Sequence, residues 1–387
     1  TYREALDIVL KHAYPLEKEK VSFSDSMGRI LAEDVFSDIN MPPFNRSAVD
    51  GFACRREDLG SMLEVIETIR AGLFPERIIG QGQCTRIMTG APVPEGADCV
   101  IMVEDAVEMT PGSIRFTGGK TKANISPFAE DVKAGDRVIP AGTQVGPQHI
   151  AIMAAVGHVH PVVTVRPKVA VISTGDEIVE PHVKPGISQI RNSNGYQLTA
   201  QAVKAGADAA YLGIAPDQED DTYRAVTDAM DRSDVVLLTG GVSMGTYDFV
   251  PKIFEKAGMD ILFRTISVQP GKPTIFGIKG RKRIFGLPGN PVSSFTIFEI
   301  LVKPMLQKML GAGQSRDLRL PLGSDYERKR SDRMQWLPVE IRDGQVHLLE
   351  YHGSAHIFSL AKADAIAAIP LGITKLSAGD LVDVRPI

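Results

Sequence analysis

The hydrophobic pattern of the chain changes period along its length, and each change predicts a change of architecture. Tyr2, Leu6 and Val9 fall on one helical face, which predicts a short amphipathic helix at the start. A second helical stretch is predicted from Ser26 to Glu33, before the Pro-rich turn Met41-Pro42-Pro43-Phe44. From Met41 to about Val145 the texture is β. Short apolar runs (Glu64 to Thr68, Cys84 to Met88, Cys99 to Val103) alternate with turns such as Pro111-Gly112 and Gly118-Gly119. A helical stretch from Gln148 to Val156 leads out of this unit.

From Arg166 to about Gly313 strands and helices alternate. Val169-Ala170-Val171-Ile172-Ser173 is a continuous apolar run, as a strand covered on both faces requires. Ser193 or Asn194 can cap a helix running to Ala205. Strand Ala209 to Ile214, helix Asp217 to Met230 and strand Val235 to Thr239 follow. Next come a helix near Asp248 to Ala257, the strand Arg283 to Gly286 and a long helix from Val292 to Leu310. The alternation predicts a doubly wound parallel α/β sheet, with ligands beyond the C-terminal strand ends. The tail returns to β texture, with a hairpin turning at Asp343-Gly344.

Composition narrows the class. The 387 residues exceed what one core usually serves, which predicts several domains. Lys+Arg 43 against Asp+Glu 47 gives a net charge of −4, which argues against a nucleic-acid partner. Cys54, Cys84 and Cys99 lack the spacing of a disulfide framework or zinc site and read as buried hydrophobes. No apolar run is long enough to span a membrane and the first residues lack the charge-then-apolar order of a signal peptide, so a cytoplasmic protein is expected.

Three strand ends in the α/β block run directly into small or turn-forming residues: Ser173-Thr174-Gly175-Asp176-Glu177, Thr239-Gly240-Gly241-Val242-Ser243 and Gly286-Leu287-Pro288-Gly289-Asn290-Pro291. Any one is compatible with a plain tight turn. Three on one sheet point to a cleft for a phosphate-bearing ligand, because glycines let backbone N–H groups approach an anion closely. None has the Walker A or G-x-G-x-x-G spacing. Glu177, Asp217 and Asp248 lie a few residues past predicted strands, where carboxylates can share Mg²⁺ with phosphate oxygens. Helix N-capping is the other reading of Asp217 and Asp248. His158 and His160 read as surface or packing residues, Arg328-Lys329-Arg330 as a solvated loop face, and Trp336 as core.

Taken together, the motifs resemble the MoeA-type molybdopterin molybdenumtransferase family, which includes the gephyrin E domain. The resemblance rests on Pro42-Pro43-Phe44-Asn45-Arg46-Ser47-Ala48-Val49-Asp50-Gly51-Phe52-Ala53, on Met88-Thr89-Gly90-Ala91-Pro92-Val93-Pro94-Glu95-Gly96-Ala97-Asp98, on the three strand ends and on Gln269-Pro270-Gly271-Lys272-Pro273. It covers nearly the whole chain. It implies four domains: an elongated unit from 1–40 and 145–165, an inserted β domain at 41–144, a molybdopterin-binding α/β domain at 166–313 and a C-terminal β-barrel at 314–387.

The resemblance also implies a function, insertion of molybdate into adenylylated molybdopterin with Mg²⁺-dependent release of AMP. It implies a homodimer with shared active sites, a molybdopterin adenylyltransferase upstream and molybdoenzyme maturation proteins downstream. Carried over by motif, Glu177, Asp217 and Asp248 are the catalytic, metal-holding carboxylates. Substrate contacts fall on Asp50, Thr89, Asp131, Thr174, Gly240, Gly241, Ser243, Lys272, Pro288, Gly289, Asn290, Arg333 and Ser354. Three usually basic family positions carry Ser126, Thr265 and Gln269, with Arg264 as a candidate substitute beside Thr265. A molybdopterin adenylyltransferase, or a catalytically weakened scaffold paralogue, are the alternatives.

Overall fold

A computed structural model describes residues 1–241, 250–313 and 317–387. In its α/β unit, Val169 and Val171 face one hydrophobic core while Ala170 and Ile172 face another. That alternation within an unbroken apolar run is what a strand covered on both faces requires. The sheet order is Asp208–Ala215, Lys168–Thr174, Val235–Thr239, Lys282–Leu287, Pro273–Lys279, Asp260–Thr265. The first four strands are mutually parallel, as expected. Pro273–Lys279 runs antiparallel to them and Asp260–Thr265 antiparallel to it in turn, and the two extend the sheet beyond the sequence reading. Gly280 and Arg281 alone connect Lys279 to its partner Lys282, a turn too short for any helical crossover.

Helices cover both faces. Asn194–Lys204 and the run from Pro291 to Leu310 lie over one core, Glu219–Arg232 and Val250–Lys256 over the other. The long C-terminal helix widens to a π segment at Phe298–Val302. Pro304 sits just after it; its ring carries no N–H and crowds the carbonyl four residues back. The first helix, Tyr2–Lys11, docks into the core of the α/β unit through Ala5 and Val9.

Ser26 to Glu33 is not a helix. Phe23–Asp25 makes a single 3₁₀ turn, Gly28 takes a positive φ of 75°, and Ile30 and Leu31 bridge to Gln144 and Val163. Two consecutive apolar residues are both buried there, which an extended segment between two partners permits. Tertiary pairing overrides the local helical pattern. Strands Lys18–Lys20 and Val35–Phe36 pair with Val162–Thr164 and Arg137–Ile139, so the segments flanking the inserted β unit share one small core.

The inserted unit is a six-stranded sheet ordered Cys99–Met102, Gly51–Cys54, Gln83–Ile87, Met62–Ile69, Ser113–Phe116, Ala106–Thr110. All three cysteines are buried and free, as expected of small hydrophobes. Gly51 opens the strand between two partners, and a Cβ there would lie 1.8 Å from the Ile101 carbonyl oxygen. That atom is backbone in a paired strand and has no room to retreat. Gly51→Ala should therefore cost roughly 2–3 kcal/mol, read as a lower denaturation midpoint at unchanged slope.

The C-terminal unit closes on itself. Met334–Arg342, Ala365–Ile369, Leu381–Pro386 and Leu318–Pro321 pair in that order, and Gln345–Leu348 pairs back onto Met334–Arg342. A bridge from Leu322 to Val346 joins the two free edges, giving the expected barrel. Its hairpin turns at Asp343 (φ 51°) and Gly344 (φ 73°), the two left-handed residues such a turn demands. Val268–Gln269 leaves the α/β unit to pair with Met334 and Gln335.

Candidate functional site

Lys168–Thr174, Val235–Thr239 and Lys282–Leu287 are parallel neighbours, so the three glycine-rich segments emerge together at one sheet edge. They line a cleft of about 760 Å³ that includes Thr174, Glu177, Gly240, Gly241, Pro288, Gly289 and Asn290. Gly240 has φ +100°, and a Cβ on it would lie 2.1 Å from the Thr174 carbonyl oxygen. The Gly240 N–H bonds the Leu287 carbonyl at 3.2 Å and the Thr239 hydroxyl bonds the Pro288 carbonyl at 3.1 Å, fixing one loop to the next.

A buried amide completes that brace. Asn194 donates to the Thr239 hydroxyl at 2.9 Å and the Gly289 carbonyl at 2.7 Å, while its own Oδ1 has no partner among the described residues. Neither Ser193 nor Asn194 caps its helix through a side chain; Asn192 Oδ1 takes the Gly195 N–H at 3.1 Å instead. Asn192 also donates to the Tyr211 hydroxyl at 2.6 Å, and Tyr211 and Tyr196 both donate to Glu180 at 2.8 Å. Burial, then Glu180, pushes the Tyr211 phenol up, so it stays a neutral donor. Sequence reasoning missed this network, because nothing in the local spacing joins Asn192, Glu180 and Tyr211.

Two of the three carboxylates are described. Glu177 folds back over Gly175, where a Cβ would meet its Oε2 at 2.5 Å. Asp217 accepts from the Thr174 hydroxyl at 3.4 Å, and its N–H donates to Asp176 at 3.2 Å. It is not a helix cap, since that helix begins at Glu219 with Gln218 in the cap position. Asp248 and Ser243 lie outside the described residues. Among the described residues no group of three or more His, Cys, Asp or Glu is placed to hold a metal alone. Oxygen donors in ones and twos, beside a glycine-lined floor, are of the type that could share Mg²⁺ with phosphate oxygens.

A second cavity of about 330 Å³ adjoins the first through Pro273, Pro288 and Asn290. Lys272, Arg333 and Ser354 line it, as do Gln269 and Tyr351. Asn290 donates to Ser354 Oγ at 2.8 Å, which leaves the Ser354 proton free to donate elsewhere. Burial pushes the Tyr351 phenol up to about 12, so it too is a neutral donor. Arg264 supplies no charge here, for its guanidinium pairs with Glu255. Arg328 is not solvated as expected. It bonds the carbonyls of Arg333, Pro370 and Ile373, holding the segment that carries Arg333, whereas Lys329 and Arg330 are exposed.

The remaining residues do not join either cavity within one chain. Thr89 donates its N–H (2.6 Å) and hydroxyl (2.7 Å) to Asp50, holding that carboxyl below its ordinary range. Asp131 lines a separate cavity of about 640 Å³ with Met41 and Arg137. Ser126 pairs with Arg46 in a short ladder in that part of the chain.

Comparison with known proteins covers the chain from end to end. Residues 1–157 match the MoeA N-terminal region (domain I and II), 170–308 the probable molybdopterin binding domain and 319–387 the MoeA C-terminal region (domain IV). The molybdopterin molybdenumtransferase of Staphylococcus epidermidis is 34% identical over 99% of this chain and 94% of the relative. That of Bacillus subtilis is 40% identical over 76% of this chain and 71% of the relative. The crystal structure of the molybdopterin biosynthesis MoeA protein from Pyrococcus horikoshii OT3 superposes with a TM-score of 0.85, at 30% identity, over 100% of this chain and 99% of the other.

Proposed function

The chain belongs to the MoeA family and is a transferase of molybdenum cofactor biosynthesis, and we propose that it inserts molybdate into adenylylated molybdopterin, releasing AMP. The observation that carries this reading is the pairing of two joined cavities. One has a glycine-lined floor suited to phosphates, the other two cationic side chains suited to a small dianion.

In this reading the phosphoanhydride lies over Thr174, Gly240, Gly241 and Gly289, with Asn194 holding the loops in place. Glu177 and Asp217, with Asp248, would be the carboxylates that hold Mg²⁺. When bound, the cation supplies Lewis-acid polarisation of the anhydride. Lys272 and Arg333 draw molybdate in by charge, and Ser354 and Tyr351 orient it by donating hydrogen bonds. A molybdate oxygen, or water, forms the new bond to the pterin phosphorus as the anhydride P–O bond breaks, and AMP departs with the bonding electron pair on its phosphate oxygen. No covalent enzyme nucleophile is needed.

We further propose the four domains drawn above and a homodimer in which a second copy brings Asp50, Thr89 and Asp131 to the site. Exposed apolar side chains on the inserted unit support this. Phe44 and Phe74 meet edge-on at 5.5 Å, and Phe74, Ile78 and Phe128 are exposed. No described helix is long and apolar enough to cross a membrane.

The test is incubation of the purified protein with adenylylated molybdopterin, Mg²⁺ and micromolar molybdate. AMP release that depends on molybdate is the expected result. Formation of the AMP ester from molybdopterin and ATP by this chain alone would overturn it in favour of an adenylyltransferase. Lys272→Ala should raise the molybdate concentration giving half-maximal release roughly 10- to 100-fold, since a charge-assisted bond contributes about 1.5–3 kcal/mol. AMP affinity should not change.

A further inference from the structure

The glycine floor accounts for the polar part of the larger cleft and leaves its rim unexplained. Ile178, Ile190, Ile357 and Phe358 also line it. Ile178 and Ile190 belong to a short parallel ribbon, Ile178–Val179 with Ile190–Arg191, fastened to the sheet through Glu180 and Asn192. Ile357 and Phe358 come from another unit, in a 3₁₀ turn spanning Ile357–Lys362.

That turn is firmly seated. Ser359 is buried and its hydroxyl bonds the His356 carbonyl at 2.7 Å. Just upstream, the Val292 N–H bonds the Ser354 carbonyl at 3.1 Å, tying the segment to the start of the long α/β helix. Yet Phe358 is 82% exposed while lining the glycine-floored cleft. Ile190 is 59% exposed in the same cleft. A free phosphate has no use for an apolar rim. A ligand with a charged end and a flat, poorly hydrated end does, and stacking on an aromatic face is how proteins hold such ends without reading their edges.

We propose that Phe358 is the stacking platform for the planar nitrogen heteroaromatic ring of the substrate, with Ile190 as an apolar flank, while the anhydride occupies the glycine floor. This rests on the functional reading above and adds to it a residue the motifs do not single out. Adenine and pterin share the required chemistry, a flat π-face carried on a phosphate.

Phe358→Trp and Phe358→Ala test it directly. AMP, a 6-substituted pterin phosphate ester and ribose 5-phosphate are the probes, with Mg²⁺ present. Trp336 is buried and gives a constant background. In Phe358→Trp, stacking quenches the new fluorescence with AMP, with the pterin ester or with both, and the pattern names the ring; ribose 5-phosphate leaves it unchanged. In Phe358→Ala, the stacked probe binds about tenfold more weakly, ~1.4 kcal/mol, and ribose 5-phosphate binds as before. Undiminished binding of both ring-bearing probes to Phe358→Ala, without quenching in Phe358→Trp, overturns the platform and leaves the functional reading intact. Failure of the wild-type protein to bind any of the three overturns both.

Discussion

Gly240→Ala is expected to reduce molybdate-dependent AMP release by at least ~10²-fold and to destabilise the fold by about 3 kcal/mol. Two effects combine at this residue. Its φ of +100° is one that an L side chain rarely adopts, and the added Cβ would lie 2.1 Å from the Thr174 carbonyl oxygen. That carbonyl ends the adjacent strand, so relief requires the Thr174 and Gly240 loops to part. Each loop carries a share of the floor proposed to hold the phosphates, and misplacing reacting groups by about 1 Å is enough for the rate loss given. Gly112→Ala separates the two effects. Gly112 has a similar φ of +85° but nothing within 4 Å of the added carbon, so only the strain, roughly 1 kcal/mol, should be felt. Thermal unfolding of both variants and AMP release by both give the comparison. Equal behaviour would mean that the close approach to Thr174 is unimportant.

Asp217→Asn should lower turnover by roughly 10²–10³-fold while leaving the fold and AMP affinity nearly intact. The substitution keeps size and hydrogen-bonding reach, so the main-chain bond to Asp176 and the contact with Thr174 can persist. What it removes is negative charge beside the proposed phosphate floor, where a shared Mg²⁺ would need it. Raising Mg²⁺ should recover part of the loss, because weaker binding can be offset by concentration. Glu177→Gln should behave in the same direction. Full turnover by both variants at unchanged Mg²⁺ dependence would remove these carboxylates from the chemistry.

The parts of the fold that were legible in the sequence are those where one physical demand dictates residue type. Val235–Thr239 is buried on both faces and reads as an unbroken apolar run. Asp343-Gly344 must take positive φ twice, and few other residue pairs can. The three glycine-rich strand ends announce themselves because backbone must approach backbone there. Ser26 to Glu33 was misread because its apolar pair Ile30-Leu31 serves two different strand partners, which local periodicity cannot encode. The antiparallel strand Pro273–Lys279 does not stand out in the sequence because Gly277 interrupts its apolar run.

The site divides the same way. Lys272, Arg333 and Ser354 were placed by motif, and all three line one cavity. Arg328, Asn192 and Glu180 carry no motif of their own; their roles arise from bonds to other segments of the chain, and Tyr351 enters only as a wall of the small cavity. Arg264 shows the converse, a charge adjacent in sequence to the expected position and committed elsewhere in space.

The strand Val268–Gln269 has a consequence for how such a protein can be cut or recombined. It is encoded inside the α/β segment yet belongs to the sheet of the C-terminal barrel. A gene fragment ending with the long helix would leave that strand without its neighbour, and a fragment starting at the barrel would open Met334–Arg342 along one edge. Neither piece is self-sufficient in backbone hydrogen bonds. Since Gln269 to Pro273 walls the small cavity, the same short stretch ties architecture to chemistry. Domain shuffling at this junction is therefore expected to cost solubility and oxyanion capture together, so the two units should travel through genomes as one piece.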